Sequence, residues 1–484
     1  LLPISARRWL AVLVAGASLS ACSQRPDSGA VVVSAIGDRP HLADAARTAL
    51  DTPSRLLVDS TAQGLVRFDA AGQIEPGLAE RWIVIDGGMS YIFRLREAEW
   101  ANGTPVAAAD VVAVLRRQLA PGSRNPLAPF LTAVGEIVEM TPQVIEVRLR
   151  RPRPDLLKLF AQPELAILRL RPPGGSGPFR VVGGTRASLL RPAFDPGIAD
   201  PDDSRETKPE DDVRLIGERA SLAILRFAQH RSDFVAGGTF ADWPLVALGG
   251  IAPANIRTDP AAGLFGFALG RTGFLADLPN RAAIAAVIDR TAAAAAALPD
   301  RETTDRILPD QLDSAAPPAI PPWSLLTQEQ RLADARTRVA AWDQPVRLRI
   351  ALPRGPGATL LYAQVAASLV QAGIEPVRVD ATADADLRLI DAVAPYDSAR
   401  WYLATACAPC GEVPQQLLAA ARDAPSLAER SRQIAAADVA LAEDAAFVPI
   451  ARPLRWSLVA MRLSQWRPNS RAWHPLNRLR GDPK

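Results

Sequence analysis

Gly64-Leu65-Val66-Arg67-Phe68 and Ile74-Glu75-Pro76-Gly77-Leu78-Ala79-Glu80-Arg81-Trp82 begin the most informative block of this chain. Tyr91-Ile92-Phe93-Arg94-Leu95-Arg96, Trp100-Ala101-Asn102-Gly103-Thr104-Pro105-Val106 and Ala109-Asp110-Val111 complete it. The apolar runs Trp82 to Ile85 and Tyr91 to Leu95 flank Asp86-Gly87-Gly88, which is hairpin turn chemistry. Thr104 and Pro105 predict an N-cap and a first helical position. Val111, Leu115 and Leu119 recur every fourth residue, so a helix is expected from Val106 to Leu119, stopped by Pro121-Gly122. Trp82, Phe93 and Trp100 have the size and spacing of core residues.

Outward from this block the chain alternates between two periodicities. Val31 to Ala35 and Val144 to Leu149 read as strands. Gly174-Gly175-Ser176-Gly177-Pro178 reads as a mobile joint into the strand Phe179 to Val182. Asp195 to Asp212 is polar and proline-spotted, a surface loop. Asn280 to Leu298 is Ala-rich and is expected as one helix. Val346 to Leu352, a helix from about Ala358 to Ala372 ending at Gly373, and Ile374 to Val379 form a β-α-β crossover, expected to be parallel and right-handed. Leu387 to Ile390 is a further strand. Ser426-Leu427-Ala428-Glu429 is a capping box for a helix to about Glu443, and Phe447 to Ile450 returns as a strand. Interleaved helices and mixed sheets define an α/β protein of at least two lobes.

The chain has 484 residues, 48% hydrophobic and 22% charged, enough for a sizeable core and inconsistent with a disordered chain. Its 55 basic and 52 acidic residues nearly cancel, so no nucleic-acid partner is implied. At the N-terminus, Arg7 and Arg8 precede a short apolar run, Trp9 to Ala17, and then Leu19-Ser20-Ala21-Cys22. Positive flank, short apolar stretch and small residues describe a secretory signal peptide. The run is shorter than the ~20 residues of a membrane-spanning helix. Leu-Ser-Ala-Cys resembles the lipobox of bacterial lipoproteins, which implies cleavage after residue 21, lipid attachment at Cys22 and a tether over 22–30.

The block from Gly64 to Leu115 resembles the family 5 solute-binding proteins, the dipeptide- and oligopeptide-binding receptors of ABC importers. Gly175-Ser176-Gly177-Pro178-Phe179, Arg281-Ala282-Ala283-Ile284 with Ile288-Asp289-Arg290, and Leu441-Ala442-Glu443-Asp444 with Val448-Pro449-Ile450 follow in the family's order. The resemblance implies a two-lobed, type II-like periplasmic-binding-protein clamp with an extra subdomain on the first lobe. Its expected parts are a first lobe of 31–60, 165–263 and 447–484, a subdomain of 61–164 and a second lobe of 264–446. It implies hinge closure over a small peptide or similar polar solute, delivery to an ABC permease, a periplasmic monomer held to the membrane by its lipid, and no covalent catalysis.

In that family an acidic residue of the second lobe receives the ligand's α-amino group. The residue matching that role is Asp397, just beyond a predicted strand; the alternative is a solvated loop aspartate. Trp401 either stacks on ligand or packs. The surrounding sequence departs from the family: Arg400-Trp401-Tyr402 and Cys407-Ala408-Pro409-Cys410 replace its usual acidic, Gly- and Pro-containing stretch. The strand Leu264-Phe265-Gly266-Phe267-Ala268-Leu269 is also altered.

Cys407 and Cys410 form a single CxxC, too few thiols for a four-Cys zinc site, and His41, His230 and His474 offer no metal-ligand spacing. An exported chain favours a local disulfide between them; thiol exchange is the minority alternative. No phosphate loop, HExxH or GxSxG is present, and no cofactor or metal is expected. Arg151-Pro152-Arg153-Pro154 reads as a solvated basic edge. A binding clamp outside transport, serving as a sensor, scaffold or chaperone-like lipoprotein, stays open as a second reading.

Overall fold

The computed structural model describes residues 29–153, 155–184, 187–193 and 208–480. The expected signal peptide, Cys22, most of the tether and most of the loop before Asp212 lie outside the described residues.

The first lobe is built on a seven-stranded sheet. Its order is Phe179–Gly183, Ser188–Pro192, Val213–Glu218, Val31–Ile36, Phe234–Thr239, Arg455–Val459, Ile256–Thr258. Val31–Ile36 runs parallel to both neighbours, and its nearly unbroken apolar sequence suits a strand buried on both faces. The second lobe carries a five-stranded sheet in the order Glu375–Asp380, Arg347–Leu352, Leu387–Val393, Gly263–Leu269, Phe447–Ala451. There the expected β-α-β unit forms: Arg347–Leu352 is parallel to Glu375–Asp380 through the helix Pro356–Gln371.

A four-stranded antiparallel sheet makes the subdomain: Ala79–Ile85, Ser90–Leu95, Val144–Leu149, Val134–Thr141. The hairpin turns at Asp86–Gly88, where Gly87 and Gly88 take positive φ (62° and 91°). Helix Ala108–Leu119 packs on this sheet, but it starts later than Thr104-Pro105 predicted. Pro105 is drawn into a bridge with Glu99, Thr104 bonds Asn102, and Asp110 accepts the N–H of Ala107 at 3.4 Å instead.

Two other expectations change. The Ala-rich segment is two helices, Leu278–Val287 and Arg290–Ala297, because Asp289 caps the second by accepting from Ala292 N at 2.9 Å. Gly174 to Pro178 is a packed strap rather than a mobile joint. A Cβ on Gly175 or Gly177 would fall 2.6 or 2.5 Å from atoms of Ala62, so these glycines permit close approach to a helix end.

The chain passes between the two large sheets twice, once between Thr258 and Gly263 and again between Ala451 and Arg455. The return lies beyond the boundary expected at 446, because Phe265–Ala268 offers Phe447–Ala451 an antiparallel partner in the second sheet. One apolar cluster joins Val33 and Phe234 to Trp401 and Leu441; another joins Val235 to Phe265 and Ile350. Both clusters therefore span the lobes.

Helix Leu427–Asp444 opens on the predicted cap, Ser426 accepting from Glu429 N at 3.2 Å. It also buries Asp438, 2% exposed, whose Oδ2 accepts Ala319 N at 2.8 Å. Burial pushes this carboxyl from 3.8 up to about 6, against the lowering effect of that one hydrogen bond. Between those two values the folded chain holds a proton that the unfolded chain has released, so stability falls as pH rises through the window. Asp438→Asn keeps an acceptor and removes the charge. It is expected to raise the unfolding free energy at pH 7.5 by up to about 3 kcal/mol and to leave it unchanged at pH 3.5. Equal gains in melting temperature at both pH values would sink this account.

Candidate functional site: a cleft between the lobes

A cavity of about 290 Å³ lies where the chain crosses between the lobes. Its walls come from the ends of three strands. Phe234 to Thr239 and Arg455 to Ser457 belong to the first sheet, and Val393 closes the second-lobe side. Thr52, Arg55 and Leu56 of the helix Thr52–Thr61, Asp259, and Arg471 to His474 complete the lining. The strand end is bare at Gly237-Gly238: a Cβ on Gly238 would sit 2.2 Å from the Trp456 indole, so glycine there lets the ring lie against the backbone.

The charges are arranged in pairs. Asp259 is buried, accepting Asn469 N at 2.9 Å on Oδ1 and facing His474 Nε2 at 3.1 Å on Oδ2. Arg455 donates to Asp391 of the second lobe at 2.7 Å. Burial raises the Asp391 carboxyl above its usual range, and the Arg455 charge opposes it. Arg55 pairs with Glu164 at 2.7 Å and lies over the Trp473 ring, 4.5 Å from its centroid. Trp473 donates its indole N–H to Asp59 at 3.2 Å. Burial pushes Asp59 up to about 6, with the Trp473 bond and Arg67 and Arg55 opposing.

Asp397 lies just outside this cavity and already has partners. Its carboxylate accepts from Lys158 of the subdomain and from Arg471 of the first lobe. Burial works to raise its pKa, but the Lys158 hydrogen bond and the Arg471 charge outweigh that and hold the carboxyl below the usual range. Asp397 is thus where all three parts of the chain meet. Arg471 reinforces the junction by donating to Ala394 O at 2.7 Å, and Gln162 donates to Pro395 O at 2.6 Å.

Trp401 sits in the helix Ala399–Ala406, 6% exposed, edge-on to Tyr402 with ring centroids 5.0 Å apart. It belongs to the apolar core and is not part of the cavity wall. Cys407 and Cys410 are joined as a disulfide at the end of that helix. Arg151 and Arg153 are not a solvated edge. Arg151 pairs with Asp423 at 2.7 Å and Arg153 donates to Arg422 O, so both reach the second lobe. Burial pushes Arg153 down to about 10, helped by Arg430, Arg151 and Arg400.

Arg55, Arg455, Trp456, Arg471 and Trp473 carried no motif in the sequence, and His474 was set aside as one of three scattered histidines. A second, larger groove of about 770 Å³ lies on the second lobe near Arg290, Trp323 and Arg331 and reaches Arg452 of the return crossing. Arg290 there is consumed by backbone carbonyls of Pro449, Ile288 and Ala285. It reads as structural.

Two α/β lobes joined by two crossings, with a cavity between them, define a solute-binding clamp. Residues 73–375 match the bacterial extracellular solute-binding proteins, family 5 (middle), and the chain belongs to that family. It is 30% identical over 145 residues to the probable deoxycholate-binding periplasmic protein YgiS of Escherichia coli (strain K12), covering 26% of this chain and 27% of that protein. The alignment thus spans about a quarter of that relative's length. Among solved structures, the Escherichia coli murein tripeptide binding protein MppA superposes with a TM-score of 0.77 at 20% identity, over 92% of this chain and 96% of that one. Haemophilus influenzae OppA in complex with RPPGFSPFR also gives 0.77, at 17% identity, over 92% and 97%. These similarities establish the two-lobed fold.

Proposed function

We propose that this chain is an extracytoplasmic substrate-binding protein that captures a peptide or similar polar solute by hinge closure and delivers it to an ABC permease. The observation that carries the reading is the cavity itself, walled by strand ends of the first sheet and by Val393 of the second, beside both crossings. Rotation about two short connections opens and closes such a cleft as a rigid-body motion. The binding functions named for the relatives favour the same reading. Cys22 serves as the lipid attachment point after signal cleavage, holding a monomer at the membrane surface. Among the described residues no helix is long and apolar enough to cross a membrane.

Asp397 fits two roles in this scheme: trading Lys158 for a ligand ammonium, or holding the lobes shut. Its existing contacts with Lys158 and Arg471 favour the second. Trp401 contributes packing.

The test is to denature purified protein, identify the released small molecules by mass spectrometry, and screen a mixed library of di- to pentapeptides and other polar solutes for thermal stabilisation. A true ligand at a hundred times its Kd should add about 2.7 kcal/mol. An empty cleft, with no solute raising the melting temperature, would overturn the proposal.

A further inference from the structure

The lining of the cleft also bears on what it holds, an inference that rests on the receptor reading above. Four of its residues carry or can carry charge in the cavity wall besides His474: Arg55, Arg455, Arg471 and Asp259. Both oxygens of the one acid, Asp259, are already engaged by Asn469 and His474. The carboxylates that pair with the three arginines are Glu164, Asp391 and Asp397, and none of them lines the cavity. The cavity therefore presents guanidinium groups, with their counter-charges behind them.

Two guanidinium Nε groups of that wall make no hydrogen bond among the described residues, and that of Arg55 is ion-paired with Glu164. Arg471 is 7% exposed, its two terminal nitrogens serve Ala394 O and Asp397, and its Nε is left over. A buried N–H without an acceptor is costly, and an arriving acceptor would recover that cost. A carboxylate matches the planar guanidinium donor set best, through charge-assisted bonds. Phe234, Trp456 and Trp473 also line the cavity, buried rings that make that part of the wall apolar and suited to an apolar or planar body. At about 290 Å³ the space is at the lower end of small-molecule sites, room for roughly ten waters at about 30 Å³ each. Among the described residues that line it, no acid is free to take a ligand ammonium.

We propose that the cleft selects a small carboxylate-bearing anion with a compact apolar or planar body, bound through Arg471 and the arginines beside it, rather than an extended peptide held by its amino terminus. Asp397 competes with that carboxylate for Arg471. The two views of the site then predict opposite signs for one substitution. Asp397→Asn removes the competing charge and should tighten anion binding several-fold, whereas an ammonium anchor would lose affinity.

The experiment measures thermal stabilisation and calorimetric binding of pyroglutamate, N-acetylalanine, gluconate and phenylpropionate, each beside its own amide, and of free and C-terminally amidated dipeptides. Full-length protein, Asp397→Asn and Arg471→Gln are compared. The expected result is binding of at least one acid at least tenfold tighter than its amide, tightened in Asp397→Asn and lost in Arg471→Gln. Should Arg471→Gln fail to fold, the sign of the Asp397→Asn change decides alone. Binding of peptides irrespective of their carboxylate, weakened by Asp397→Asn, would overturn the anion assignment and leave the receptor reading standing. Acids that bind no better than their amides would overturn it too. Failure of every solute, together with nothing released on denaturation, would remove the receptor reading and this inference with it.

Discussion

Asp444→Ala is expected to lower the unfolding free energy by about 3–5 kcal/mol, the cost of stranding a buried cation. Asp444 closes the helix Leu427–Asp444 and faces two arginines. Arg271 donates to both its oxygens at 2.8 and 2.7 Å, and Arg281 donates to Oδ1 at 2.9 Å. Its Oδ2 also accepts Gly411 N at 2.8 Å, tying down the chain just after the disulfide. Arg281 is 1% exposed, with its other donors on Leu275, Ala276 and Asp444 carbonyls. Burial pulls its guanidinium below the usual arginine range, as does the nearby Arg271 charge, and Asp444 opposes both. Removing the carboxylate leaves that charge buried without its ion-paired anion, with Asp277 still acting on it through space. Asp444→Asn should lose less, since an acceptor remains. The double variant Asp444→Leu with Arg281→Met should recover part of the loss, because a buried ion pair is often no better than well-packed apolar groups. Urea denaturation of the four proteins checks this; a loss under about 1 kcal/mol in Asp444→Ala would refute it.

Trp456→Ala is expected to cost about 3–5 kcal/mol as a large-to-small core substitution and to damage the cleft at the same time. The ring is 1% exposed, lies over Gly238, meets Trp243 edge-on at 6.2 Å and donates its N–H to Thr239 O at 2.8 Å. It sits in an apolar cluster that spans both lobes while also facing the cavity. Trp456→Phe keeps most of the apolar surface and loses the N–H, so it should cost about 1–3 kcal/mol through the abandoned carbonyl. Chemical denaturation gives the stability, and binding of whichever solute stabilises the native protein gives the site effect. Trp456→Ala with native stability, or with unaltered binding, would show that the ring neither packs nor lines as described.

Local chemistry was legible where it acts over short distances. The Asp86-Gly87-Gly88 hairpin, the Ser426 cap and the crossover ending at Gly373 follow from turn geometry, capping and periodicity within a few residues. The errors have a common cause as well. Thr104-Pro105 is a good cap sequence, yet a bridge between Glu99 and Pro105 holds it out of the helix. Gly175 and Gly177 look like a flexible joint until the end of the helix Thr52–Thr61 is seen pressed against them. Arg151 and Arg153 look solvated until the second lobe covers them. In each case a distant segment outcompeted a local preference.

The site was less legible than the fold for the same reason. Asp397 was singled out through the family resemblance, as an acid just beyond a strand, but its Lys158 and Arg471 partners are far away in sequence and in two other parts of the chain. Arg471, Trp473 and His474 lie in a stretch of irregular backbone with no periodicity to read.

The sequence by itself determined the α/β class and some of its elements, which depend on hydrophobic period and caps, and the family through the resemblance of a dense local block between Gly64 and Leu115. Only the tertiary structure decided which charges face the cleft. Whether an arginine is a binding group or a spent one depends on which carboxylate stands behind it. That pairing is made by the crossing of two sheets, and spacing along the chain does not record it.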